Sequence, residues 1–203
     1  NTFVLRLRLI ASNTLGNQQG TEHEHKASLS YQDVDGDEVN GSTAVDRDVS
    51  QPGTGPTTTL VEPTVSIEQA LTTPSDPGLG VDSGDAIEYA VTFSNTSGVD
   101  AFDLGLSVQL PAELDGVSLE AVSFSDANGP AVGDFEITGN DTDGYQLSLK
   151  SGFDLDLRTG HSITLTIGGT VGATAADLAN LTSEARVDWT SLDDTSSSND
   201  SER

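Results

Sequence analysis

The residues best spaced for chemistry are Asp33-Val34-Asp35-Gly36-Asp37-Glu38-Val39-Asn40. Acidic residues at alternate positions around a glycine let a short loop curl oxygen ligands about a hard cation. Asp33, Asp35, Asp37 and Asn40 are therefore the candidate ligands of a structural Ca2+. A solvated acidic turn at a strand end accounts for the same residues, and the two readings stand side by side. His23 and His25 would share one strand face, as transition-metal ligands could, but no third ligand accompanies them, so a solvated polar face is the simpler expectation. Asp82-Ser83-Gly84 has the form of the aspartic protease triplet. That chemistry needs two such loops to bring paired carboxylates onto one proton, and the sequence holds one, so a turn is expected there. There is no Gly-x-Ser-x-Gly elbow, phosphate-cradling Gly-Lys loop or Cys-His pair, and the chain is expected to be no enzyme.

The charge balance narrows the partners. Lys and Arg number 8 against 33 Asp and Glu, a formal net charge of -25. Such a surface repels phosphate and anionic lipid and attracts cations, which argues against nucleic acid and against membrane insertion. The acids are spaced among Val, Leu, Ile and Phe, as on a folded surface rather than a disordered tract. No cysteine is present, so neither disulfides nor thiolate metal sites are available. No apolar run approaches the roughly 20 residues that cross a bilayer, and a targeting sequence is expected to lie outside these residues.

The elements that must position any site are strands. Ile87, Tyr89, Val91 and Phe93 alternate on one face, and Leu104, Leu106, Val108 and Leu110 repeat the pattern before Pro111 stops it. Further strands are expected at Val65 and Ile67, Val117 to Phe124, Phe135 to Ile137, Tyr145 to Leu149, Ile163 to Ile167, and Ala185 to Trp189. Turns rich in Asn, Asp, Gly and Ser separate them, among them Asn95-Thr96-Ser97-Gly98 and Asp141-Thr142-Asp143-Gly144. Strand signals about every ten residues predict an all-β, immunoglobulin-like antiparallel β-sandwich, with Ala173 to Leu181 the one stretch that could form a helical turn.

An internal displacement of 158 residues places Ala27-Ser28-Leu29-Ser30-Tyr31 over Ala185-Arg186-Val187-Asp188-Trp189, Leu5, Leu7 and Leu9 over Ile163, Leu165 and Ile167, and Asp35 over Asp193. Residues 1–50 then read as the C-terminal half of a preceding sandwich repeat, 51–60 as a Pro- and Gly-punctuated linker, and 61–203 as a complete repeat. Tyr31 and Trp189, at matching positions, are expected to plug the cores. A half module leaves unpaired strand edges, so strand complementation from a neighbour is expected.

Val81 to Gly98, followed by Leu110-Pro111-Ala112-Glu113-Leu114, and Arg158 to Leu165 resemble a large family of prokaryotic surface repeats of unknown function. That family's pattern is a Pro-Gly-Asp turn, a Tyr-containing alternating strand, Asn-x-Gly and Leu-Pro; here Ser83 stands for the turn proline and Val108 for the usual Asp before Leu-Pro. The resemblance implies an extracellular, cell-surface module strung in tandem in adhesins, sheaths and surface layers. The expected function is a structural repeat whose partners are neighbouring repeats or identical subunits. The alternative is an adhesin module holding a surface glycan or protein through its end loops, for which one Trp, three Tyr and six Phe, mostly at strand positions, leave few aromatics.

Overall fold

The computed structural model describes residues 4, 6–8, 19–32, 46–50, 55–74, 80–126, 129–173, 175, 181–191 and 193, with the backbone alone for 29–32 and 46–50. The chain divides into two compact units, Asn1–Val61 and Glu62–Arg203.

In the first unit the described strands are β1 (Glu22–Glu24), β2 (Ser28–Gln32), β3 (Asp46–Ser50) and β4 (Thr57–Thr59). Strand β1 pairs antiparallel with β4, His23 opposite Thr58, and β2 pairs with β3. Strand β4 falls within the stretch 51–60. Three consecutive β-branched threonines favour extended backbone, but β4 is exposed throughout and lacks the apolar alternation that marks a strand in sequence. Arg6, Leu7 and Arg8 lie in no strand. Leu7 is 73% exposed, whereas Leu165, its counterpart at the 158-residue displacement, is buried in the core of the second unit. Alternation creates a strand only where a partner ladder exists, and none reaches Leu7 among the described residues.

The second unit is an antiparallel β-sandwich of immunoglobulin-like type, with eight strands among the described residues. They are β5 (Val65–Thr73), β6 (Ala86–Asn95), β7 (Phe102–Leu110), β8 (Leu114–Phe124), β9 (Phe135–Asn140), β10 (Gly144–Leu149), β11 (Ser162–Val171) and β12 (Glu184–Thr190). One sheet has the order β5-β6-β11-β8 and the other β12-β7-β10-β9. Each of the eight stretches with alternating apolar residues falls within one of these strands. A 3-10 turn at Val132–Asp134 leads into β9, anchored by the Asp134 carboxylate accepting from the Ala131 N–H at 2.8 Å.

The alternation settles which face is buried. Tyr89, Val91 and Phe93 of β6 meet Ile167, Leu165 and Ile163 of β11 in register, with Ile87 opposite Gly169, and from the facing sheet Leu104, Leu106, Val108 and Leu110 of β7 and Leu147 of β10 close over them. Each fully buried side chain of this kind stabilises the fold by about 1.5–3 kcal/mol. Outward positions of the first sheet carry Ser and Thr, and Thr92 and Thr164 share a hydrogen bond across β6 and β11 at 2.9 Å.

The chain enters and leaves this sandwich at the same end. The Trp189 indole N–H, near the end of β12, donates to the Pro63 carbonyl just before β5 at 3.2 Å. Half-buried Trp189 thereby packs against the core while tying the outer strands of the two sheets together. Tyr31, its counterpart in the sequence comparison, has no described side chain.

Candidate functional site

The end of the sandwich where the chain enters and leaves contains its most unusual local geometry. The ladder between β12 and β7 is regular from Glu184 opposite Gln109 to Asp188 opposite Gly105, then shifts register so that Thr190 faces Phe102. Two residues of β7, Asp103 and Leu104, thus stand against Trp189 alone, the arrangement of a β-bulge. Asp103 takes φ +51°, a left-handed conformation that costs a non-glycine residue of the order of 1 kcal/mol. The bulge breaks the in-out alternation, so Asp103 and Leu104 are both buried although adjacent. Asp103 is left 6% exposed.

One carboxylate oxygen of Asp103, Oδ2, accepts a hydrogen bond from the Thr190 hydroxyl at 3.0 Å. The other, Oδ1, is buried and has no hydrogen-bond partner. Alongside the backbone at Asp103 runs the segment Phe153-Asp154-Leu155-Asp156-Leu157, held to the start of β7 by the Leu104 N–H donating to Leu155 O and by reciprocal bonds between Ala101 and Leu157. Leu155 and Leu157 turn into the core, and half-buried Asp156 accepts a long bond, 3.4 Å, from the Asp103 N–H. Burial raises the Asp156 carboxyl above the usual carboxylate range; that N–H opposes the rise, while the negative charges of Asp154, Asp193 and Asp103 add to it. The ion pairs described, Lys26 with Glu24, Arg158 with Asp126 and Arg186 with Glu184, involve neither Asp103 nor Asp156.

Chemically, this is a concentration of negative charge with a desolvated oxygen and the Thr190 hydroxyl in it. It can take up a proton or a hard cation. Among the described residues no three His, Cys, Asp or Glu side chains are grouped so that they alone could hold a metal.

Nothing in the sequence marks Asp103, because alternation from Leu104 assigns it to the solvent face and only the bulge turns it inward. Asp154 and Asp156 were open to notice as the acidic half of an alternating segment. Asp33, Asp35, Asp37 and Asn40 lie outside the described residues. His23 is exposed on β1, but His25 lies beyond the strand, where its ring Nε2 shares a hydrogen bond with the Thr58 hydroxyl at 3.0 Å. Asp82-Ser83-Gly84 forms the turn before β6, with Gly84 at φ +92° and the Asp85 carboxylate accepting from the Asp82 N–H. His161 directly precedes β11 and donates its backbone N–H to Arg158 O.

Asn95, the first residue of a glycosylation sequon, is a second group the sequence did not single out for burial. It is 1% exposed. Its amide donates to Val99 O at 2.9 Å and Leu157 O at 2.8 Å, and its Oδ1 accepts from the Ser97 N–H and hydroxyl at 3.0 and 2.7 Å. With every bonding position directed inward, this side chain anchors the β6–β7 turn and is closed to glycosylation.

No protein-family model and no curated protein matches the sequence. Among solved structures, the chain is similar to the pilus backbone RrgB from Streptococcus pneumoniae, at 17% identity and TM-score 0.41, over 62% of this chain and 52% of that one. It is also similar to the Actinomyces fimbrial adhesin FimA, at 14% identity and TM-score 0.42, over 64% and 49%. A family 3a carbohydrate binding module from the CipA scaffolding of Clostridium thermocellum shows 13% identity and TM-score 0.35, over 62% and 99%. The match thus spans about half the length of the two fimbrial structures. At these identities and scores the likenesses carry neither activity nor partners to this chain.

Proposed function

We propose that the chain is a non-catalytic structural module of a larger extracellular, cell-surface protein, a fibre, surface layer or adhesin, and that it associates with identical subunits or neighbouring repeats by strand addition. The observation that carries the reading is the edge strand β5. Among the described residues it pairs only with β6. It is nine residues long and almost wholly exposed, with Ile67 at 38% on the side that faces the opposite sheet. Its one charged residue is Glu68.

The other three edges carry the devices that discourage pairing. Strand β8 has two register shifts against β11, together with Asp115 and Glu120; β9 is six residues long and bent by Gly139 at φ +101°; β12 carries Glu184, Arg186 and Asp188 and ends in the bulge. A neighbouring strand laid along β5 would extend its sheet through main-chain hydrogen bonds and cover Ile67. Tension between Glu62 and Thr190 would open β5 and β12 from one end, one bond at a time. That geometry favours lateral association over an in-line spring.

With a net charge of -25, association is expected to strengthen as salt or divalent cations screen repulsion. The test is light scattering and sedimentation of the 203-residue chain over a range of concentration and salt. An Ile67→Lys variant places a charge on the edge at a position already part-exposed. Concentration-dependent assembly that Ile67→Lys abolishes, with its unfolding midpoint within a few degrees of the parent, is the expected result. A monomer at all salts, or assembly indifferent to Ile67→Lys, rejects strand addition at β5.

A further inference from the structure

We propose that Asp103 and Asp156, beside the Thr190 hydroxyl, form a binding site for one hard divalent cation of the Ca2+ type at the end of the sandwich where the chain enters and leaves. Two independent observations meet there. The first is the gathering of carboxylates, with Asp154 and Asp193 close enough for their charge to act on Asp156. The second is the buried Oδ1 of Asp103, whose carboxylate acts on the same group and has no donor for this oxygen. Buried polar atoms in native proteins almost always have partners, and an orphaned one calls for an ion, a water or a functional role. Left alone, a desolvated carboxylate oxygen within reach of other negative charges is costly. A bound cation removes both penalties.

The bulge is built to present this group. Without the register shift between Asp188 and Thr190, Asp103 would face solvent in the ordinary alternation. The strained φ of +51° is what turns it inward. Thr190 holds one oxygen and leaves the other available. Two carboxylates supplemented by main-chain carbonyls and water make a mixed, irregular oxygen shell, which Ca2+ accepts at six to eight ligands and Mg2+, bound to a strict octahedron, does not. The site is separate from the Asp33, Asp35, Asp37 and Asn40 loop. It is also independent of strand addition at β5.

The single tryptophan makes the site readable. Trp189 adjoins Thr190, so Tb3+, which replaces Ca2+, should luminesce on tryptophan excitation when bound at Asp103. The experiment uses the full chain, stripped with chelator, in a background where Asp33→Asn, Asp35→Asn and Asp37→Asn silence the other loop. Measured against Tb3+ luminescence and Ca2+-dependent thermal unfolding at fixed ionic strength, the parent is expected to bind one ion. Its unfolding midpoint should rise by about 8 °C at roughly 100 times the dissociation constant. Asp103→Asn and Asp156→Asn should each weaken binding more than about tenfold. Should Asp103→Asn fail to fold, Asp156→Asn carries the test, because it relieves repulsion in the metal-free protein and should unfold no lower than the parent while losing the Ca2+ response. The proposal is overturned by absent sensitised luminescence, by a Ca2+ response that survives in Asp156→Asn, or by a shift that NaCl reproduces. It is equally overturned if mild acid raises the midpoint while Ca2+ does nothing, because a shared proton would then satisfy the orphaned oxygen.

Discussion

Replacing Asn95 tests how the sandwich end is held. Asn95→Ala removes two donated and two accepted hydrogen bonds from a side chain that is 1% exposed. The two carbonyls that lose a donor are not stranded: Leu157 O still accepts from the Ala101 N–H, and Val99 O can take the Ser97 hydroxyl, 2.9 Å away, whose single proton Asn95 Oδ1 no longer claims. The penalty is then close to the net worth of the bonds, with the Ser97 groups recovering part of theirs from water. At about 1 kcal/mol per bond the loss comes to about 3 kcal/mol, which lowers the midpoint of this 142-residue unit, Glu62–Arg203, by about 9 °C. Asn95→Asp keeps the acceptor but turns a carboxylate onto the oxygens of Val99 and Leu157. At neutral pH it should therefore be worse than Asn95→Ala, and it should recover as acid protonates the introduced carboxyl into a donor. That carboxyl is held above its unfolded pKa, so its penalty is absent below the unfolded value, near pH ~4, and grows as pH rises through the folded one. The assay is thermal unfolding of both variants across pH, followed by Trp189 fluorescence. An Asn95→Ala change below about 0.5 kcal/mol, or an Asn95→Asp stability that parallels the parent across pH, would refute the argument that this amide anchors the turn.

Two further outcomes follow from the same coordinates. Gly139→Ala should destabilise the β9–β10 hairpin by about 3 kcal/mol, since φ +101° is closed to alanine and its Cβ would stand 2.1 Å from Gly144 O; Gly133→Ala, where a Cβ meets nothing within 4 Å, serves as the neutral control in the same chemical denaturation series. Burial holds the Tyr89 phenol above its usual value, so its contribution is whole below pH ~10 and is lost as pH rises through the folded value. Tyr89→Phe should flatten the alkaline decline measured by urea midpoints, and an unchanged decline counts against burial as the cause.

The sequence carried the strands because a sandwich imposes a simple code: one face of each strand is buried, so apolar residues recur every second position. Ile87 to Phe93 and Leu104 to Leu110 could be read without coordinates for that reason. The same code hid β4, where three exposed threonines leave no alternation, and promised a strand at Leu7, where alternation has no partner ladder among the described residues. Asn95 was legible as a turn residue from its neighbours Thr96, Ser97 and Gly98, but its burial depends on Leu157, sixty-two residues away.

By itself the sequence determined the all-β class, the core-facing residues, the acidic surface and the absence of thiol chemistry, all of which depend on local pattern or composition. Tertiary structure decided which strand is left open at the sheet edge and that the chain enters and leaves at one end. It also decided that Asp103 is turned inward, with its main-chain N–H against the Asp156 carboxylate. Each of these rests on pairing between distant segments, and a single register shift between β7 and β12 reverses the face of a side chain without changing any residue.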